Sequence, residues 1–303
     1  MRDLEPLTGN ASSGEQIAPY RRDDGHEPRD RRFDYESKLW GAHQVEAKPS
    51  YLAALRLEYA LRDLDPISGK VLEIGCGGGS MTHAVKQYRP DLDLQGCDIS
   101  EQAIKFAQSQ IGDAEFRVGD TYNLPYGSNE FAAVLMFDVL EHLEMPRTSL
   151  AEIHRVLKPD GLFHLYVPCE GGFLSLASLL NQLGWKAKER YVGHIQRFTR
   201  SSLQVLIEDQ GFQVGGVVWS GHIVGQLADV LYFSLLSLYG KNVPFSVEGY
   251  LHGADDQLTT KVVRLAKNVL GTVTYYESKY LTRVPGAGAH ISCRKIGGQS
   301  SSD

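Results

Sequence analysis

The sequence predicts an α/β fold built on a doubly wound, mostly parallel sheet. Three observations predict it. Short apolar runs alternate with helix-like stretches, the pattern that produces a parallel sheet. The first run passes directly into a glycine turn, in Val71-Leu72-Glu73-Ile74-Gly75-Cys76-Gly77-Gly78-Gly79-Ser80. Another, Phe131 to Phe137, is continuously apolar, as a strand covered on both faces must be.

Residues 1–32 lack an apolar core and mix charges of both signs with Gly, Pro, Ser and Asn. They read as a disordered tail and not as a signal peptide. Residues 33–69 form a cap segment holding Tyr35, Trp40 and His43, followed by an amphipathic helix from Ser50 to Leu64. The core, residues 70–219, opens with the strand Val71 to Ile74. Glycine in the turn takes φ > 0 and lets a ligand approach the backbone. The helix starting near Ser80 offers unpaired N–H groups and a positive dipole end. Together these build a nucleotide-type cofactor site.

The second strand, Leu92 to Ser100, ends in Asp98, about 20 residues past the glycines, as a ribose-binding carboxylate should. An ionised carboxylate only accepts, so it matches a vicinal diol bidentately. Ser100 caps a helix running to Gln110. Glu115 to Thr121 is a third strand and turn, and Phe131 to Phe137 opens into Asp138-Val139-Leu140-Glu141-His142-Leu143. Pro146 suits a first helical turn, and Leu150, Ile153, Val156 and Leu157 give that helix a buried face. Lys158-Pro159-Asp160-Gly161 precedes a fifth strand, Leu162 to Val167. A small apolar helix over Gly171 to Leu183, a basic loop over Trp185 to Arg200 and a sixth strand over Gln213 to Trp219 follow. In open α/β sheets ligands bind beyond the carboxyl ends of the strands, where Gly75 to Gly79, Asp98, Asp120 and Asp138 would converge.

The 303 residues carry 31 basic against 37 acidic side chains, a formal charge of −6, which argues against a broad phosphate-binding surface and hence against nucleic acid as a partner. Apolar content of 42% suffices for a core. Cys76, Cys97, Cys169 and Cys293 include no C-x-x-C pair, so reduced thiols and a cytoplasmic setting are expected. Cys76, Cys97 and Cys169 fall at strand ends but lack partnering histidine spacing, and no metal is expected.

Read as Glu73-x-Gly75-x-Gly77-x-Gly79, the first motif resembles that of the class I S-adenosylmethionine-dependent methyltransferases. Asp98, Asp120 followed by Leu124-Pro125, and the Asp138 to Leu143 segment fall in that family's order. The Asp-x-x-Glu-His sequence is similar to the one seen in ubiquinone-type O-methyltransferases. The resemblance covers residues 70 to 170 closely and 190 to 218 more loosely. It implies a Rossmann-like sheet of seven strands that binds S-adenosylmethionine. In this reading Gly75, Cys76, Gly77 and Gly79 form the cofactor turn, with Glu73 near the cofactor's amino acid end. Asp98 would take the ribose, Ile99 lie beside the adenine and Asp120 take its amino group, with Thr121 and Phe137 close by.

The family's last strand corresponds to Ala289 to Arg294, within residues 284–296, before a loose tail at 297–303. Residues 220–283 are then a helical insertion, read as a lid, a dimer surface or a peripheral membrane contact. Within it Ile223 to Tyr239 is apolar nearly all round but too short to span, since a transmembrane helix needs about 20 apolar residues. Leu258 to Leu270 is amphipathic, with Lys261, Arg264 and Lys267 on its polar face.

Methyl transfer from a sulfonium is an in-line displacement, so the protein chiefly aligns the reactants. A hydroxyl acceptor also needs a base, and histidine has the appropriate pKa. His142, directly after the fourth strand, is the first candidate and His194 the second, with Glu141 orienting; Tyr191, Arg197 and Trp40 are candidate substrate contacts. The acceptor is expected to be a small molecule, a lipid or a glycan. Phe137-Asp138-Val139-Leu140 replaces the Asn/Asp-Pro-Pro-aromatic motif of base-methylating enzymes. Three other readings stand beside this one: a protein methyltransferase, a non-catalytic cofactor-binding module, and a nicotinamide-dependent oxidoreductase, which Ser80 opposes by standing where the dinucleotide fingerprint wants glycine.

Overall fold

The computed structural model describes residues 40–42, 44–51, 53–110, 112–172, 175–239 and 258–297. The expected tail at 1–32, the expected tail at 297–303 apart from Gly297, Tyr35, His43 and the middle of the insertion lie outside these residues. The element order is α1 (Ala54–Leu64), β1 (Lys70–Ile74), α2 (Ser80–Tyr88), β2 (Asp93–Asp98), α3 (Glu101–Gln110), β3 (Glu115–Val118) and β4 (Phe131–Phe137). A 3-10 turn (Leu140–His142), α4 (Pro146–Val156), β5 (Leu157–Pro168), α5 (Leu176–Gln182), α6 (Ala187–Val192) and α7 (Arg200–Glu208) follow. The chain closes with β6 (Phe212–Ser220), α8 (Ile223–Tyr239), α9 (Leu258–Tyr280) and β7 (Gly288–Lys295).

The seven strands make one sheet in the order β3-β2-β1-β4-β5-β7-β6. β3, β2, β1, β4 and β5 are parallel, and β7 runs antiparallel to both β5 and β6. The order reverses between β1 and β4, which sets the glycine turn beside the Asp138–Leu143 segment. Strand alternation sends side chains to two separate cores. On one face Leu72, Ile74, Phe131 and Val134 pack with Leu150 and Ile153 of α4 and Leu203, Leu206 and Ile207 of α7. On the other, Val71, Ala133 and Leu135 pack with Leu57, Ala60 and Leu64 of α1 and Met81, Ala84 and Val85 of α2.

Several boundaries differ from those expected. The first helix begins at Ala54 rather than Ser50, because Tyr51 N–H donates to the Lys48 carbonyl in a preceding turn and the Tyr51 hydroxyl donates to Glu46. β5 already starts at Leu157, which pairs with Phe131 before a register shift absorbs the Lys158–Gly161 segment. The apolar helix after β5 is shortened to α5, where Ser175 caps by accepting from Ser178 N–H at 3.1 Å. The basic loop contains α6, six residues that carry too little periodicity to declare themselves.

The insertion forms α8 and α9. The polar residues that interrupt the apolar pattern of α8 tie it to the rest of the protein. The Gln226 side chain accepts from Leu176 N–H at 2.6 Å, Asp229 pairs with Lys188 at 2.6 Å, and Ser234 accepts from the Trp185 indole at 3.1 Å. Leu236 is buried, whereas Leu227, Leu231, Leu235 and Leu238 are exposed. α9 continues past Leu270 to Tyr280. Gly271 does not end it; a Cβ there would stand 2.9 Å from the Ser50 carbonyl oxygen, so glycine lets the helix lie against the 49–50 backbone. Among the described residues no helix is long and apolar enough to cross a membrane.

Candidate active site

The glycine turn has the left-handed geometry expected of it, with φ of 71° at Gly75, 52° at Gly77 and 81° at Gly79. At Gly75 a Cβ would come within 2.2 Å of Val139 Cγ2, so the β1 turn and the segment after β4 touch only because the residue is glycine. Two N–H groups leading into α2 are already taken. Gly78 N–H donates to the Trp40 carbonyl at 2.7 Å and Ser80 N–H to the Gly41 carbonyl at 3.0 Å. Trp40 thus meets the turn through its backbone.

Asp98, at the end of β2, is fixed from two sides. Its Oδ2 accepts from Gly77 N–H at 2.8 Å and its Oδ1 from Ser100 N–H at 2.9 Å. Beside it Ile99 is 56% exposed, an aliphatic surface at a strand end that suits a planar ring. Asp120 Oδ1 accepts from Tyr122 N–H at 2.9 Å, Thr121 Oγ1 is 2.5 Å from Ser149 Oγ, and Phe137 is buried at the end of β4. A buried-edge carboxylate with a neighbouring exposed aliphatic side chain fits the ribose and adenine of S-adenosylmethionine.

Glu73 is buried in β1 and accepts from the Thr82 hydroxyl on α2; Cys76 is buried beside the turn. Burial pushes the Glu73 carboxyl up to about 8, against the Thr82 hydrogen bond that favours its charge. A group held above its ordinary value of 4.5 contributes stability below that pH and loses the contribution as pH rises through about 8. Glu73→Gln is therefore expected to melt above the parent at pH 9, with the gap closing toward pH 5. A constant gap across that range, measured by thermal melts, would assign the effect to something other than this proton.

The second half of the site stands on the segments that follow β4 and β5. Asp138 has φ of 53°, and Arg56 of α1 holds it, with Nη2 to Oδ1 at 3.0 Å and Nε 2.9 Å from Oδ2. The Arg56 guanidinium lies over the Tyr166 ring at 4.0 Å. Three residues on, the 3-10 turn presents Glu141 and His142. The His142 and His194 rings meet edge to face with centroids 5.0 Å apart, so the structure brings the two candidate bases together. His194 Nδ1 lies 3.2 Å from Glu170 Oε2, and Glu170 in turn pairs with Lys188 at 2.7 Å.

Burial opposes the charge of Glu170, but its hydrogen bond with His194 and the Lys188 ammonium outweigh it and hold the carboxyl down at about 2. Burial and the neighbouring His194 push the His142 imidazole down to about 4. Glu141 moves the other way, raised well above the carboxylate range by burial and the Asp138 charge. Glu170 and Lys188 were missed in the sequence; the signal was the position of Glu170 immediately past β5, at the same sheet edge as Asp98 and Asp138.

A small, partly open pocket lies against His194 and is walled by Glu170, Trp185, Lys188 and Arg197. Tyr191 is not among its lining residues; its hydroxyl donates to the Leu236 carbonyl at 2.9 Å and fastens α6 to α8. The four cysteines are free and buried. Among the described residues, the grouping with metal-ligand spacing is Glu141, His142 and His194 rather than cysteines.

A seven-stranded sheet in this order, with a glycine turn after β1 and an acid closing β2, is the class I methyltransferase fold. Residues 72–165 match the family of the methyltransferase domain, and this stretch is a methyltransferase domain of the S-adenosylmethionine-dependent class. An uncharacterized methyltransferase of Schizosaccharomyces pombe is 32% identical over 33% of this chain and 39% of its own length. A ubiquinone biosynthesis O-methyltransferase of Alkalilimnicola ehrlichii is 30% identical over 43% of this chain and 55% of its own. The chain therefore spans less than two thirds of these relatives. Among solved structures the cyclase SpnF superposes with a TM-score of 0.53 at 18% identity, covering 82% of this chain and 83% of that one, a likeness of fold alone.

Proposed function

We propose that the protein transfers the methyl group of S-adenosylmethionine to an oxygen of a small-molecule, lipid or glycan acceptor. The observation that carries this is the joining, at one sheet edge, of a carboxylate suited to a diol, Asp98, to a histidine pair of which His194 borders a pocket. When bound, the cofactor supplies a sulfonium-activated methyl group. The chain's own residues do the rest. Asp98, Ile99, Asp120, Thr121 and Phe137 hold the nucleoside, with Glu73 and the Gly75–Gly79 turn at its amino acid end.

The pocket beside His194, with Arg197 and Trp185 in its wall, marks where the reacting end of the acceptor enters. Activation of the acceptor oxygen falls to the His142–His194 pair. In this reading His194 takes precedence over His142, reversing the order suggested by sequence: Glu170 orients His194, whereas an imidazole at about 4 accepts a proton poorly. The O-directed reading draws on the aligned ubiquinone biosynthesis O-methyltransferase and on this pair, since an oxygen acceptor needs a base that a nucleophilic amine does not.

The test is transfer of labelled methyl from S-adenosylmethionine into a host extract separated into organic-soluble, small aqueous and macromolecular fractions. Label in the organic or small aqueous fraction is expected. Label confined to protein would replace the reading with protein methylation, and cofactor binding without any label would replace it with a binding module.

A further inference from the structure

Glu141 is 0% exposed, and neither of its carboxylate oxygens has a hydrogen-bond partner in the structure. A buried carboxylate left so is costly, and native proteins keep one where something else satisfies it. What faces it here is two nitrogens. Its Oε1 is 3.9 Å from His142 Nε2 and 3.8 Å from His194 Nε2. The other nitrogen of each ring has an oxygen acceptor within reach: His142 Nδ1 lies 3.3 Å from the Gly193 carbonyl and His194 Nδ1 3.2 Å from Glu170.

A neutral imidazole that donates from Nδ1 keeps its lone pair on Nε2. Glu141 Oε1 and the two Nε2 atoms then form a compact set of potential ligand atoms in one buried place. Donation from the far nitrogen to a carbonyl or carboxylate is the outer support that metal-binding histidines have. The ligand atoms of the three residues lie within 4.8 Å of one another. Tetrahedral ligands about 2.1 Å from a metal are about 3.4 Å apart, so the two contacts to Glu141 need to close by only a few tenths of an ångström.

We infer that Glu141, His142 and His194 bind a divalent first-row transition-metal ion, of which Zn²⁺ is the reference case. Two imidazoles and one carboxylate suit zinc, manganese, iron or cobalt; magnesium and calcium, which take oxygen ligands, do not match the set. Three protein ligands leave open positions, and His194 borders the pocket. An acceptor hydroxyl reaching such an ion would have its pKa lowered, so the ion would then take over the activating role that the imidazole has without it. That catalytic consequence rests on the proposed methyl transfer, whereas binding of the ion does not.

The experiment uses the full chain, stripped with a chelator, exposed separately to Zn²⁺ and Co²⁺ and desalted. Bound metal is counted by mass spectrometry, the cobalt form is read by its visible absorption, and affinity comes from competition with a chromophoric chelator. One equivalent per chain is expected. His142→Ala, His194→Ala and Glu141→Gln should each lose at least about 100-fold in affinity and Glu170→Gln about 10-fold. His83→Ala, on α2, should match the parent. Melts recorded without metal identify any variant that fails to fold, and the remaining ligand variants then decide. Failure to retain stoichiometric metal, or equal affinity in the parent and the folded ligand variants, would overturn the site. Because no arm depends on turnover, that failure leaves the proposed activity to its own test.

Discussion

Asp98→Ala is expected to weaken S-adenosylmethionine binding about 100-fold, or about 3 kcal/mol. The magnitude follows from what the carboxylate does on both sides. Toward the protein it accepts from Gly77 and Ser100 N–H and so sets the glycine turn relative to the α3 N-terminus. Toward the ligand it offers the acceptors for two ribose hydroxyls, which alanine would leave unpaired in a partly dehydrated site. Titration calorimetry measures the loss, and a melt without cofactor separates it from general destabilisation. Affinity within twofold of the parent would remove Asp98 from the nucleoside site.

His194→Ala is expected to lower kcat by about 10²- to 10⁴-fold, the range of general acid–base contributions, with cofactor affinity unchanged within about twofold. The ring borders the pocket beside Glu170, and its removal leaves the Glu170 carboxylate paired with Lys188. Glu170→Gln should reproduce part of the loss, because it keeps the shape and weakens the hold on the ring. His142, held at about 4, should contribute no titration limb between pH 5 and 8. Single-turnover rates across that range check this, and parent-like turnover in His194→Ala would move acceptor activation elsewhere.

The cofactor half of the site was legible because its chemistry is local. Gly75 to Gly79, Asp98 and Asp120 each lie within a few residues of a strand end, and strand order follows from the alternation of elements. The acceptor half was legible only in fragments. His142 and His194 are far apart in the chain, and their edge-to-face contact depends on how the segment after α6 folds back, with Ile195 and Gln196 N–H both donating to the Glu141 carbonyl. Glu170 and Lys188 carry no motif. Their pairing is a tertiary fact, as is the role of Gly271, just past the expected helix end at Leu270, which packing uses as a close approach. The pattern of apolar residues also could not tell that Gln226 and Asp229, polar interruptions in α8, are its points of attachment.

Lys188 holds Glu170 and Asp229 at once, at 2.7 and 2.6 Å, and is buried between them. One ammonium thus joins the outer support of His194 to the helical insertion. Energetically the two are a single cooperative unit, and the orientation of an imidazole at the sheet edge becomes a reporter of where α8 sits. A double-mutant cycle between Asp229 and His194, which are linked through Lys188 and Glu170, should be non-additive. Sequence drift in the insertion is constrained accordingly. The exposed leucines of α8 make no contact with this relay, but losing Asp229 would alter the electrostatics felt by His194.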